Sequence, residues 1–181
     1  MTTAASKSQE VWELRFKHFD ADNDGRIDRS DFRQEATDII RAFGADPDLP
    51  HARALIASYE GVYDYIASKA GKVGANDEGL SLTDYVSTSL AMITDRGNVG
   101  FSQVLGPVAQ AIATLCDTDG DGNISREEYG RWLTIVGVAD DDAEQSFEQI
   151  DANNDGIVSI DELIDAAKKY TLGESDLKML G

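Results

Sequence analysis

Three times along this chain, oxygen-bearing side chains alternate over five positions, a glycine follows at the sixth, and a carboxylate closes the run at the twelfth. The runs begin at Asp20, Asp117 and Asp151 and end at Asp31, Glu128 and Glu162. Glycine at position six (Gly25, Gly122, Gly156) permits the positive φ that reverses the chain. The side chains at positions one, three and five then aim at one point: Asp20, Asp22 and Asp24; Asp117, Asp119 and Asp121; Asp151, Asn153 and Asp155. Position seven offers a backbone carbonyl, so its side chain is free to vary: Arg26, Asn123, Ile157. Position nine adds Asp28, Ser125 and Ser159, and position twelve returns a carboxylate from the first turn of the next helix. An all-oxygen cage of six or seven ligands suits a hard cation of calcium size.

The flanking segments fit such loops. Trp12, Phe16 and Phe19 precede the first run at helical spacing, and Phe32, Ile39, Ile40 and Phe43 follow it. Val108, Ile112, Leu115 and Cys116 precede the second, with Tyr129, Trp132, Leu133 and Val136 after it. Phe147 and Ile150 lead into the third; Leu163, Ala166, Ala167 and Tyr170 lead out. Each is an apolar stripe of one helical face. Position eight is apolar in every loop (Ile27, Ile124, Val158), as a short antiparallel bridge between paired loops requires.

Three helix–loop–helix repeats of this kind resemble the EF-hand family. The expected fold is all-α, four helix–loop–helix units in two pairs forming one compact domain, with short β bridges between paired loops. Such units bury their open faces in pairs, so the first loop needs a partner between residues 55 and 95. Leu55, Ile56, Tyr59, Tyr63 and Ile66 form one stripe there, and Tyr85, Leu90, Met92 and Ile93 form another. Aligning Leu80 with position eight puts Val73 and Ala75 at positions one and three, where neither supplies an oxygen. The second hand should fold without an ion. Ser81 and Asp84 keep the spacing of positions nine and twelve, and their expected role is a helix capping box. The expected division is 1–98 for the pair with one working and one degenerate hand, and 99–181 for the pair with two working hands.

An intact first, third and fourth loop with a degraded second, in about 180 residues, resembles the sarcoplasmic calcium-binding proteins and more closely the prokaryotic calerythrin group. Phe101-x-x-Val104-Leu105-Gly106-Pro107-Val108, Asp31 at position twelve of loop one and the Leu177…Leu180-Gly181 ending carry the closer likeness. The resemblance implies Ca2+ buffering or signalling in a bacterial cytosol. Pro107 should either kink a long helix or open one at its first turn.

The charge agrees. The chain carries 34 acidic against 16 basic residues, a formal −18, and twelve of the acids occupy ligand positions in the three loops. A surface this acidic repels phosphate backbones and anionic membranes, so neither nucleic acid nor membrane is an expected partner. The single Cys116 excludes an internal disulfide, and with two histidines it cannot form an ordinary structural zinc site. The first residues lack the apolar core of a secretion signal, so a monomer in the cytoplasm is expected.

Ca2+ is expected at three sites. Asp31 is one methylene shorter than Glu, which favours six-coordination, so the first loop should also accommodate Mg2+. Only three methionines are present, which fits a buffer better than a sensor that opens a Met-rich groove to a protein partner. The tail from Tyr170 to Gly181 has apolar residues able to cover a cleft. A third reading, a photoprotein-like enzyme enclosing an oxidisable ligand, is disfavoured by the scarcity of histidine. His18 reads as a partly exposed helix residue and Cys116 as a buried thiol. No P-loop, GxSxG, HExxH or CxxC motif is present, so no enzyme activity is expected.

Overall fold

The loop residues themselves set where the helices begin. Asp28 caps α2 (Arg29–Ala42), accepting from the backbone N–H groups of Ser30 and Asp31, while the Asp31 carboxylate accepts from the Asp28 N–H in return. Ser159 and Glu162 form the same reciprocal box ahead of α8 (Ile160–Thr171). Such boxes satisfy donors that the first helical turn leaves without partners. The remaining helices are α1 (Ala4–Phe19), α3 (Pro50–Ala70), α4 (Leu82–Val104), α5 (Gly106–Cys116), α6 (Arg126–Ile135) and α7 (Asp140–Ile150). The computed structural model describes residues 4–20, 22–135 and 140–175, with side chains except at 4–5, 76, 93–102 and 140–144. Val136 and the Leu177–Gly181 ending lie outside the described residues, as do the Ile93 and Phe101 side chains.

Two short antiparallel bridges join the loops. β1 (Arg26–Ile27) pairs with β2 (Leu80–Ser81), and β3 (Ile124–Ser125) pairs with β4 (Ile157–Val158). Ile27 faces Leu80 and Ile124 faces Val158, and all four are fully buried. The fold is therefore all-α, four helix–loop–helix units in two bridged pairs, and Leu80 does stand at the position-eight register. Gly79, just before it, has φ +76°, and an added Cβ would meet the Ile27 carbonyl oxygen at 3.1 Å. Only a residue without Cβ lets the two loops approach this closely.

The predicted stripes form one continuous core. In the N-terminal pair, Phe19 stacks on Phe32 with centroids 4.2 Å apart, and Trp12 meets Tyr85 edge-on at 5.7 Å. In the C-terminal pair, Tyr129 packs on Phe147, and its hydroxyl shares a 2.8 Å hydrogen bond with Ser146. Pro107 lies in the first turn of α5, after a break at Leu105, so it opens a helix. The α4 helix runs across residues 98 and 99.

The two pairs meet along α3 with α5 and α1 with α8. Phe43, at the end of α2, stacks on Trp132 of α6, and the Arg131 guanidinium donates to the Phe43 carbonyl oxygen at 3.0 Å. Ser8 donates to the Thr171 carbonyl oxygen at 2.6 Å across a buried seam. Between the pairs lies a cavity of about 80 Å3, with Trp12, Arg15 and Tyr59 on one side and Ile112, Trp132 and Leu163 on the other. Among the described residues no helix is long and apolar enough to cross a membrane.

Candidate metal centre

Each acidic loop is a ring of backbone N–H groups folded around carboxylates. In loop three the Asp117 carboxylate accepts from Gly120 N at 2.8 Å, Asp121 N at 3.1 Å and Gly122 N at 2.9 Å. Asp119 accepts from Asp121 N, and Asp121 accepts from Asn123 N at 2.7 Å. Loop four repeats the pattern. Asp151 accepts from Asp155 N and Gly156 N, Asn153 Oδ1 from Asp155 N, and Asp155 from Ile157 N at 3.0 Å. In loop one, Asp20 accepts from Gly25 N, Asp22 from Asp24 N, and Asp24 from Arg26 N. These bonds curl each loop around the carboxylate at its first position.

The chain reversal uses two left-handed residues per loop. Position-six glycines have φ of +82° to +85°, and position four is also left-handed: Asn23 at +58°, Gly120 at +75° and Asn154 at +56°. Asn tolerates that region because its short side chain bonds locally. The sequence reading passed over position four, although Asn, Gly and Asn standing there was a readable signal.

The structure gathers these side chains unequally. Ligand-capable oxygens of Asp20, Asp22 and Asp24 lie within 4.8 Å of one another, as do those of Asp117, Asp119 and Glu128. At position twelve, Glu128 Oε1 crosses its loop to accept from Thr118 N at 2.7 Å and from the Thr118 hydroxyl at 2.8 Å. Its Oε2 takes the Ser125 N–H and hydroxyl. Glu162 does likewise with Ala152 N at 3.2 Å and with Ser159. Asp31 accepts from Asp28 N at 2.6 Å, while Asp28 itself is turned toward Ser30. The Arg26 side chain points out of the loop to the Glu78 carbonyl oxygen at 2.9 Å, consistent with a position that could offer only its backbone.

Electrostatics separate the position-twelve acids. Burial pushes Glu128 up, but hydrogen bonds from Ser125 and Thr118 outweigh it and hold its carboxyl at about 2. Hydrogen bonding from Ser159 also lowers Glu162. Asp31 is raised, first by burial and then by the nearby charges of Asp28, Asp22 and Asp24. In loop one, Asp20 is 9% exposed and its Oδ1 is buried with no hydrogen-bond partner. A buried carboxylate oxygen without a partner carries a desolvation cost that a bound cation removes. The donor set and this orphaned oxygen fit a hard divalent ion.

Loop two has a different interior. Gly74–Asn76 form a 3-10 turn where the other loops present carboxylates. Asp84 accepts from the Ser81 N–H and hydroxyl, and the Lys72 ammonium stands 4.0 Å from it. Asp77, not considered in the sequence reading, accepts from the Tyr63 hydroxyl at 2.6 Å. Just before loop three, Cys116 is 1% exposed, and burial with the Glu128 charge pushes its thiol up to about 12. It is an inert core residue. His18 lies half-exposed and bonded to Glu35 at 2.9 Å.

An EF hand family model matches residues 13–34, 116–133 and 143–165, the three acidic loops with their flanking helices. Calerythrin from Saccharopolyspora erythraea is 35% identical over 181 residues, covering 100% of both chains. The chain belongs to the calerythrin family of EF-hand proteins. Among solved structures, a Streptomyces coelicolor calcium-binding protein, studied for prokaryotic calcium-mediated regulation, superposes with a TM-score of 0.73. It is 28% identical, and the match covers 92% of this chain and 99% of that one. Calcium-loaded apo-aequorin from Aequorea victoria superposes with a TM-score of 0.75 at 18% identity, covering 92% and 91%. That likeness is one of fold alone. The EF-hand arrangement thus extends through the calerythrin-like chain, including the second hand, which the family model leaves unmatched.

Proposed function

We propose that this chain is a Ca2+-binding EF-hand protein with three sites, acting as a monomeric cytoplasmic buffer without enzyme activity. Asp20, Asp22, Asp24, the Arg26 carbonyl, Asp28 and Asp31 would hold the first ion. Asp117, Asp119, Asp121, the Asn123 carbonyl, Ser125 and Glu128 would hold the second. Asp151, Asn153, Asp155, the Ile157 carbonyl, Ser159 and Glu162 would hold the third. The observation that carries this reading is the convergence of Asp20, Asp22 and Asp24 in loop one and of Asp117, Asp119 and Glu128 in loop three, with Glu128 and Glu162 drawn across to position two. Packing those charges together without a cation costs Coulombic repulsion, so ion binding and folding are coupled.

A buffer keeps its apolar faces covered by its own halves. The Phe43–Trp132 stack and the Ser8–Thr171 bond favour that arrangement. The similarity to a protein studied for calcium-mediated regulation favours a sensor instead. A photoprotein-like role has less support, because no histidine among the described residues lines the cavity. Calorimetric titration of the metal-free protein at physiological Mg2+ decides between the first two. Three sites, some with dissociation constants on the order of 10⁻⁸ M and weakened by Mg2+, mark a buffer. Constants on the order of 10⁻⁶ M, indifferent to Mg2+, mark a sensor.

A further inference from the structure

At position twelve of loop three, both ends of the carboxylate are tethered. Glu128 Oε1 accepts from the N–H and the hydroxyl of Thr118, at 2.7 and 2.8 Å. Its Oε2 accepts from the N–H and the hydroxyl of Ser125, each at 2.9 Å. In loop four, Glu162 takes the same two groups of Ser159, but position two gives it only the Ala152 N–H, at 3.2 Å. Loop one also has an alanine there, Ala21. Of the three position-two residues, Thr118 alone carries a side-chain donor. It is exposed, while the Glu128 it holds is buried. One tether on a ligand carboxylate thus comes from a surface hydroxyl whose removal leaves the core intact.

We infer that Thr118 is a positioning residue whose hydroxyl sets the preference of loop three for Ca2+ over Mg2+, by fixing how Glu128 is presented. The inference rests on the reading of loop three as an ion site. Ca2+ takes about six to eight oxygens and accepts a glutamate through both of its own, whereas the smaller Mg2+ demands near-octahedral geometry. Offering one oxygen alone means turning the Glu128 carboxylate, which pulls on the bonds at both of its ends. Hydrogen bonds to an ionised acceptor are the stronger kind, so the turn is resisted more in loop three than in loop four. Selectivity is a difference of affinities, and an obstacle to the wrong ion raises it as a contact to the right one does.

The test reads each loop separately by nuclear magnetic resonance. The N–H groups of Gly122, Gly156 and Gly25 donate to Asp117, Asp151 and Asp20, so their amide signals report the occupancy of loops three, four and one. The isotope-labelled full chain is titrated with Ca2+ at fixed Mg2+. Thr118→Val keeps the shape and loses the hydroxyl. The ratio of Ca2+ to Mg2+ affinity at loop three should then fall about tenfold, the low end of what losing a ligand's outer-shell partner costs. Thr118→Ser should restore it, with loop one unmoved in both variants. Ala152→Thr supplies the missing hydroxyl and should raise the ratio at loop four. In the metal-free chain, the residue-118 amide should exchange with solvent faster in Thr118→Val than in Thr118→Ser, because its carboxylate partner is less firmly held. An unchanged ratio in Thr118→Val, an equal fall in Thr118→Ser, no gain in Ala152→Thr, or equal amide exchange in the two Thr118 variants overturns the inference. A Gly122 amide indifferent to Ca2+ in the wild type overturns loop three as an ion site, and the inference with it.

Discussion

The Glu128 carboxylate accepts a hydrogen bond from the Thr118 backbone N–H at 2.7 Å, joining the twelfth position of its loop to the second. The bond closes the loop from its far end before any ion is considered, and it leaves Glu128 among the carboxylates that converge with Asp117 and Asp119. Glu128→Gln keeps the shape and removes the charge. The third loop should then lose about a hundredfold or more in Ca2+ affinity, beyond what loss of an outer-shell partner costs. Calorimetry should show two tight binding events in place of three. Three unaltered events would remove Glu128 from the ligand set.

The same hydrogen bonds give the metal-free protein a pH dependence. An unfolded glutamate titrates near pH 4.3, roughly, whereas folded Glu128 is held at about 2. A depressed carboxyl adds stability that is fully present above the unfolded value and is lost as pH falls toward the folded one. Glu162, also lowered, adds in the same direction. Asp31 is raised and acts oppositely, so its charge weakens the metal-free fold at neutral pH. Urea midpoints of the metal-free protein should fall between pH 5 and pH 3, and less steeply in Glu128→Gln. Parallel curves for the two proteins would contradict this account.

Loop one should tell Mg2+ from Ca2+ less sharply than its counterparts. Asp31 is a short arm already engaged with the Asp28 N–H at 2.6 Å. In Asp31→Glu the longer arm can offer both oxygens, which favours the larger ion's higher coordination number. Mg2+ should then compete less well for this loop, by about tenfold on the scale of such ligand changes. Unchanged competition in a Ca2+ titration at fixed Mg2+ would falsify the assignment.

In the second hand, Asp84 caps a helix and faces an ammonium. Asp84→Ala should cost about 1 kcal/mol of stability, the usual worth of an N-terminal capping interaction. It should leave the number of bound Ca2+ ions at the wild-type value. Urea unfolding with a parallel calorimetric stoichiometry separates the two effects. A lost ion in that variant would make the second loop a site after all.

Much of the architecture was legible because it follows from local rules. The stripes around Phe19, Leu115 and Ile150 gave the helices, and apolar position eight gave the bridges, down to Leu80 opposite Ile27. What stayed hidden depends on partners distant in sequence. Nothing local ties Arg131 to Phe43, Ser8 to Thr171, or Arg15 to the phenols around the central cavity. Nor does local spacing mark Glu60 in mid-α3, which is 7% exposed beneath Arg29 and Arg33. Pro107 allowed two local outcomes, and helix packing chose the one in which it opens α5. Within the loops the ligand pattern was plain, while the bond from position twelve to position two was not, because a backbone N–H leaves no mark on residue type.

The two bridges place unlike neighbours side by side. Across the Ile124–Val158 pairing, two acidic loops share one pair of strands, so whatever ordering the first ion imposes on its strand is already done for the second. Across Ile27–Leu80, the first loop leans on a loop whose own carboxylate is engaged with Ser81 and a lysine. With an ion in each of its loops, as proposed, the C-terminal pair should therefore fill steeply, as a unit. The first loop should fill gradually, alone.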